Sequence, residues 1–190
     1  FLTLVKWMNS RYTGNLDSYV ASSTNVRSGE SQEHIAGDMV SVLLLRNQLK
    51  QNKTFLEQLK LDQETLYEAM DNRTVGVTTI AKPLKEGGIN IHKVGGQCRV
   101  SYVPDLESEL SLDGINTKAC LRTRVPARMR FGFIIRELGD DLLVAFQHAP
   151  EIYIKHGLDR LKVNLQNFLK LILENPETTL SELPDLTKPP

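Results

Sequence analysis

The stretch Met39–Arg46 (MVSVLLLR) constrains the fold more than any other part of the chain. Its apolar core, Val42-Leu43-Leu44-Leu45, runs without interruption between polar neighbours, as in a strand buried on both faces. Such a strand leaves water only if apolar layers cover it, and the sequence supplies them. Thr54 and Glu57 form a capping box that opens a helix over Thr54–Asp71, whose stripe is Phe55, Leu56, Leu59, Leu66, Ala69 and Met70. Tyr153–Leu173 carries a second stripe, Leu158, Leu161, Leu165, Phe168, Leu169, Ile172 and Leu173, and Asn175-Pro176 ends it. A third lies in Phe1–Tyr12, at Phe1, Leu4, Val5, Met8 and Tyr12, closed by Thr13-Gly14-Asn15. These faces need one another to be buried, which predicts an α/β fold with a mixed sheet of about five or six strands covered by helices.

The remaining segments fill in that plan. Ser18–Asn25 reads as a short strand and Asn25–Glu33 as a loop. Asn72–Gly96, with Gly76, Pro83, Gly87, Gly88, Gly95 and Gly96, predicts a long irregular connection with one short strand near Ile89-Asn90-Ile91. Four strands follow, at Cys98–Val103, Thr117–Arg124, Met129–Arg136 and Leu142–His148; the last two form a hairpin across Glu137–Asp141. The Leu- and Pro-rich tail reads as a linker, so the expected division is a domain over 1–176 and a linker over 177–190. The first helix reads as one that begins upstream of Phe1, and the lack of an initiator Met marks the chain as a fragment or processed piece.

Charge and cysteine usage exclude several classes. With 23 Lys+Arg against 23 Asp+Glu the formal charge is zero, so the excess of cations that releases counterions from nucleic acid is absent. No apolar run approaches the roughly 20 residues that span a bilayer. Cys98 and Cys120 are too few for a disulfide framework and read as buried free thiols in a reducing, cytoplasmic compartment.

No phosphate-binding glycine loop, zinc-spaced Cys or His pair, or nucleophile elbow occurs. The four histidines, His34, His92, His148 and His156, are scattered and read as structural, since a general base needs a positioned partner. The carboxylate pairs Asp140-Asp141 and Asp105 with Glu107 sit in turns that favour Asp for local reasons. One dense cationic cluster stands out: Arg122, Arg124, Arg128 and Arg130, with Arg11 and Arg27 as outliers. Alternation along strands would place Arg122 with Arg124, and Arg128 with Arg130, on common faces. Two readings stay open, a docking patch for an anionic or carrier-protein partner and a strand edge kept from aggregating by charge.

The order of these elements, with its local words, resembles the C-terminal half of the condensation domains of nonribosomal peptide synthetases, within the chloramphenicol acetyltransferase-like superfamily. Phe1-Leu-Thr-Leu-Val with Ser10-Arg-Tyr-Thr-Gly14 is similar to the helix and turn that open that half. Ala36–Arg46 (AGDMVSVLLLR) is similar to the family's IGxFVNTxxxR motif, retaining Gly37, Val40, Leu43, Leu45 and Arg46. Asn175–Leu186 (NPETTLSELPDL) is similar to the sequence that closes the domain. Three departures matter: Asp71–Val77 lacks the family's HxxxPFE, the RNPL motif is not recognisable near 95–100, and no His-His occurs for the HHxxxDG active-site motif, which belongs to the family's N-terminal half.

The resemblance implies one lobe of a two-lobed fold. It also implies a non-catalytic, truncated condensation-like domain of a nonribosomal peptide or hybrid polyketide–peptide megasynthase, with no enzyme activity of its own and no covalently bound cofactor. Its partners would be a neighbouring domain or a carrier protein bearing phosphopantetheine. Two alternatives are the excised lobe of an active, amide-forming condensation domain and a stand-alone acyltransferase using coenzyme A. A lobe separated from its other half would expose the Phe1, Leu4, Val5 and Met8 face, which predicts a homodimer.

Overall fold

The computed structural model describes residues 1–88, 98–103, 113–115, 131–149 and 155–183. Five strands, β1 (Asp17–Asn25), β2 (Val40–Gln48), β3 (Cys98–Val103), β4 (Phe131–Leu138) and β5 (Asp141–His148), form one mixed sheet in the order β2-β1-β3-β4-β5. β1 runs antiparallel to β2, with Val20 opposite Leu45, and parallel to β3 at Ala21 and Arg99. β3 and β4 are parallel from Cys98 opposite Phe131 to Val103 opposite Arg136. β4 and β5 make the expected hairpin, closing at Leu138 opposite Asp141. Gly139 begins that two-residue turn with φ of 60°, a left-handed conformation in which any L side chain is strained.

The helices are α1 (Leu2–Thr13), α2 (Glu30–Glu33), α3 (Phe55–Asp71), α4 (Val77–Glu86) and α5 (Lys155–Glu174). α1 ends where its sequence predicts: Gly14 takes φ of 70° and its N–H donates to the Ser10 carbonyl at 2.8 Å. α3 starts on the predicted capping box, with the Thr54 hydroxyl accepting from the Glu57 N–H and the Glu57 carboxylate accepting from the Thr54 N–H. α1 packs against β1, α3 and α5, and α3 and α4 lie against β2. The core gathers Leu4, Val5, Trp7 and Met8 of α1, Val20 and Val100 of the central strands, Phe133 and Ile135 of β4, and Leu165, Phe168 and Ile172 of α5. Trp7 meets Phe55 edge to face, with ring centroids 5.2 Å apart.

Four expectations are corrected. First, β2 is not buried on both faces. It lies at one end of the sheet order, and Leu43 and Leu45 are buried while Val40 is 57% exposed and Arg46 points to solvent. A continuous apolar run carries no marker of which face loses its cover, and here only one does. Second, the stretch expected to be a loop after Asp71 contains α4. Gly76 and Gly87 are its boundary residues, and the half-buried Val77, Ile80, Ala81 and Leu84 recur at helical spacing. Pro83 falls late in the helix, so the one N–H it lacks removes a single bond, to the Thr79 carbonyl. α2 likewise interrupts the expected loop at Asn25–Glu33.

Third, the segment after Pro176 is not a linker as far as Leu183. Thr179 and Glu182 form a second capping box, on a 3-10 turn at Leu180–Glu182, and Leu180 and Leu183 are buried in the core. The Thr178 and Pro176 carbonyls accept the N–H groups of Phe55 and Leu56, which the first turn of α3 would otherwise leave unpaired. Fourth, the α1 face expected to be bare is covered within the chain. Leu4, Val5 and Met8 are each 1–2% exposed, and even Thr3, Lys6 and Ser10 on the other faces are buried. The observation that motivated a homodimer is therefore gone. The strands expected at Ile89–Ile91 and Thr117–Arg124 lie outside the described residues.

Candidate functional site

The family-motif residues cluster where β2 enters and leaves the sheet. Leu43 and Leu45 point into the core, paired with Ser22 and Val20. Gly37 precedes the strand, and a side chain there would meet nothing within 4 Å, so packing does not require glycine. Its carbonyl accepts from Arg27 at 3.1 Å, as do those of Gln32 and Ile35, at 3.2 and 3.0 Å. Arg27 thus braces the β1–β2 connection. Arg46 grips Asp17 across the strand pair through two bonds of 2.9 and 2.7 Å, and its guanidinium lies 5.3 Å from the centre of the Tyr19 ring. The bidentate contact draws the Asp17 carboxyl below its usual range and raises Arg46 further above its own.

A polar group that the sequence reading missed lies in the middle of the core. Lys6, on the buried α1, places its Nζ 3.3 Å from Asp62 Oδ1 on α3, and the Gln58 amide donates to the same oxygen at 3.1 Å. All three side chains are at most 2% exposed. Burial lowers the Lys6 pKa, against the opposing pull of Asp62. A signal was available, since Gln58 and Asp62 stand four residues apart on one face of α3 and Lys6 interrupts the apolar run Leu4-Val5-Trp7-Met8.

The expected absence of a positioned base among the histidines concerns only part of the chain. His34 is exposed at the end of α2, and His148 closes β5 opposite Phe131. His92 and the side chain of His156 lie outside the described residues, as do Asp105 and Glu107; Asp140 and Asp141 are exposed at the hairpin turn. No three His, Cys, Asp or Glu side chains among the described residues could hold a metal ion, and no described helix is long and apolar enough to cross a membrane. Cys98 is buried, and its thiol is pushed up to about 12 by that burial, which makes it inert as a nucleophile near neutral pH. Arg122, Arg124, Arg128 and Arg130 lie outside the described residues, so their arrangement stays an expectation. Of the two outliers, Arg11 reaches the Leu183 carbonyl at 2.5 Å and tethers the C-terminal segment.

A cavity of about 470 Å³ opens between α1, the start of α5 and the first residues of β3 and β4. Val5, Met8, Phe131, Phe133 and Leu161 give it apolar walls, and Asn9, Tyr12 and Arg160 are among its polar lining.

The comparisons with known proteins bear on the whole chain. The sequence model of the Condensation domain family matches residues 1–188. Chondramide synthase cmdD of Chondromyces crocatus is 21% identical over 190 residues, 98% of this chain and 5% of that protein. Bacitracin synthase 1 of Bacillus licheniformis is 21% identical over 180 residues, 94% of this chain and 3% of that protein. This chain therefore spans a small fraction of the length of these relatives. In the solved complex of the X-domain and OxyB from teicoplanin biosynthesis, the matching chain superposes with a TM-score of 0.82 at 18% identity, over 99% of this chain and 42% of that one. The sheet order, the buried α1 and the Leu43–Leu45 strand are thus the local form of a shared fold, and with the match running through residues 1–188 the chain belongs to the condensation-domain family.

Proposed function

We propose that this chain is the C-terminal lobe of a truncated, non-catalytic condensation-like domain in a cytoplasmic nonribosomal peptide or hybrid polyketide–peptide megasynthase. It holds a carrier protein or a neighbouring domain in position and contributes no general base. One observation carries the reading: the family match extends through residues 1–188, yet Asp71–Val77 departs from the family's HxxxPFE motif at the His, Pro and Phe positions. Shared fold does not carry activity by itself. A contact role has support in a structural relative, the X-domain, which is solved in complex with OxyB. The deciding experiment is to read the coding sequence upstream of Phe1. The proposal expects no HHxxxDG motif in frame, and finding one there sinks it.

A second reading has its own observation. This chain spans 42% of the matched X-domain chain, which is the proportion of one lobe of two. In that case the chain is the excised half of an active, amide-forming condensation domain acting on carrier-bound thioesters. A stand-alone acyltransferase using coenzyme A is the third option, and acyl-CoA turnover by the isolated chain is expected to be blank.

The proposed carrier contact uses Arg122, Arg124, Arg128 and Arg130, whose guanidinium groups suit the acidic surface and phosphopantetheine phosphate of a carrier protein. The double reversal Arg128→Glu with Arg130→Glu should slow association and flatten its salt dependence. Unchanged binding at low salt removes the patch and leaves the charged strand edge as its explanation.

A further inference from the structure

α3 distributes its side chains against the usual sense of an amphipathic helix. Its fully buried residues are the polar Gln58 and Asp62, while Leu56, Leu59 and Tyr67 are 37%, 40% and 60% exposed. Single exposed leucines are ordinary, but these residues share one stripe. At about 100° per residue, Leu59, Met70, Gln63, Leu56 and Tyr67 fall within an arc of about 80°. The Gln63 amide donates to the Tyr67 hydroxyl at 3.0 Å, and Met70 is half-buried, with its sulfur 3.1 Å from Thr24 Oγ1. Glu64, Glu68 and the helix's single cation, Lys60, line one flank of the stripe, all exposed. This surface is not the α1 face, which is covered within the chain.

The stripe reads alike in both directions. Leu56, Leu59, Gln63, Tyr67 and Met70 are spaced three, four, four and three, with apolar residues on either side of a central amide. A surface of that symmetry fits a second copy of itself turned end for end, because each contact of a two-fold interface occurs twice. With the axis at Gln63, Leu59 lies level with Tyr67 of the second copy and Leu56 with its Met70. Gln63 then meets Gln63, where the remaining amide proton of each side chain pairs with the other's carbonyl oxygen, a polar contact that fixes the register. The charges choose the same alignment. Lys60 comes level with position 66 of the second copy, between its Glu64 and Glu68, whereas a parallel pair would set Lys60 on Lys60 and each glutamate on itself. One approach is unfavourable, Glu68 toward Glu57, and the Glu57 carboxylate is already held by the Thr54 N–H. We propose that α3 is a self-association surface through which two copies of this chain pair antiparallel about a two-fold axis at Gln63. One helix pair is a small contact, so the dimer is weak and concentration-dependent. The proposal does not rest on the assembly-line reading, and it stands or falls separately.

The test is sedimentation equilibrium of the purified chain from micromolar to millimolar concentration, which should show a monomer–dimer equilibrium. Leu59→Glu with Tyr67→Glu should abolish the dimer, and Lys60→Glu should weaken it by about tenfold through like-charge contact. Lys60→Glu combined with Glu64→Lys and Glu68→Lys should restore it, a rescue that damage to the fold could not give. All these positions are exposed, so each variant should melt like the parent at concentrations where both are monomeric. Register is read by disulfide formation in a Cys120→Ser background, where Cys98 is buried. Leu59→Cys and Tyr67→Cys proteins, mixed under mild oxidant, should cross-link to each other faster than either does to itself. A chain that stays monomeric at millimolar concentration, a dimer indifferent to the Leu59 and Tyr67 changes, a charge swap without rescue, or self-cross-linking that outruns the mixed product each overturn the proposal.

Discussion

The buried Lys6–Asp62 pair makes the sharpest energetic prediction. Lys6 is fully buried and Asp62 is 2% exposed, so neither charge can turn to water when its partner is removed. Asp62→Asn keeps the size and one acceptor for the Gln58 amide but strands the Lys6 ammonium in a buried site without its anionic partner. Breaking a buried pair in this way costs about 3–5 kcal/mol, against about 5–15 kcal/mol for the total stability of a domain. An exposed pair such as Arg46–Asp17 would be worth far less to the fold. The compensated double variant Lys6→Met with Asp62→Leu removes both charges and should recover most of the loss, since apolar replacement of a buried pair is often neutral or stabilising.

The assay is urea unfolding followed by tryptophan fluorescence. Trp7, the single tryptophan of the sequence, follows Lys6 on α1 and meets Phe55 of α3 edge to face, so it reports the α1–α3 packing. The pH dependence has a definite sign. Burial lowers the folded-state pKa of Lys6 below its unfolded value of about 10.4. Between the two values the unfolded chain binds more protons, so this group makes stability rise with pH across that window. Asp62→Asn removes both influences that raise the Lys6 pKa, the Coulombic pull and the hydrogen bond, so the window widens and the total rise across it grows. A loss below about 1 kcal/mol, the range of exposed pairs, together with an unchanged pH profile refutes the reasoning.

Leu180→Ala should cost about 2–5 kcal/mol in the same assay, the range for emptying a packed core site, and ending the chain at Pro176 should cost more by also removing Leu183 from the core and the Thr178 carbonyl from the Phe55 N–H. A null effect of that shortening would restore the linker reading. Gly139→Val should cost about 1–2 kcal/mol through the left-handed turn position alone, and calorimetry on the variant measures it. Cys98 should resist iodoacetamide at pH 8 in the folded protein and react on denaturation, followed by mass of the modified peptide. Its raised thiol pKa also means that its contribution to stability is intact below the unfolded value and is lost as pH climbs from there toward 12.

Local and periodic features are legible in the chain alone. The Thr54–Glu57 capping box, the Gly14 stop, the turn at Gly139 and the stripes of α1, α3 and α5 are written in residues three or four apart, or in single positions with one permitted conformation. The local words around Arg46 and at the two ends of the chain were enough to reach the family. What escaped were quantities set by partners distant in sequence. MVSVLLLR specifies a strand but not its place at one end of the sheet order among the described residues, because an end position is a property of which neighbours pair with it. Gly76, Pro83 and Gly87 are read singly as breakers, and only packing of α4 against β2 turns them into the boundaries and last turn of a helix. The Lys6–Asp62 pair spans 56 positions and Arg11 finds the Leu183 carbonyl 172 positions away. No periodicity encodes such contacts; they exist because the sheet order brings α1, α3 and the C-terminal segment to one core, where a buried charge or carbonyl must find its partner or leave the fold unstable.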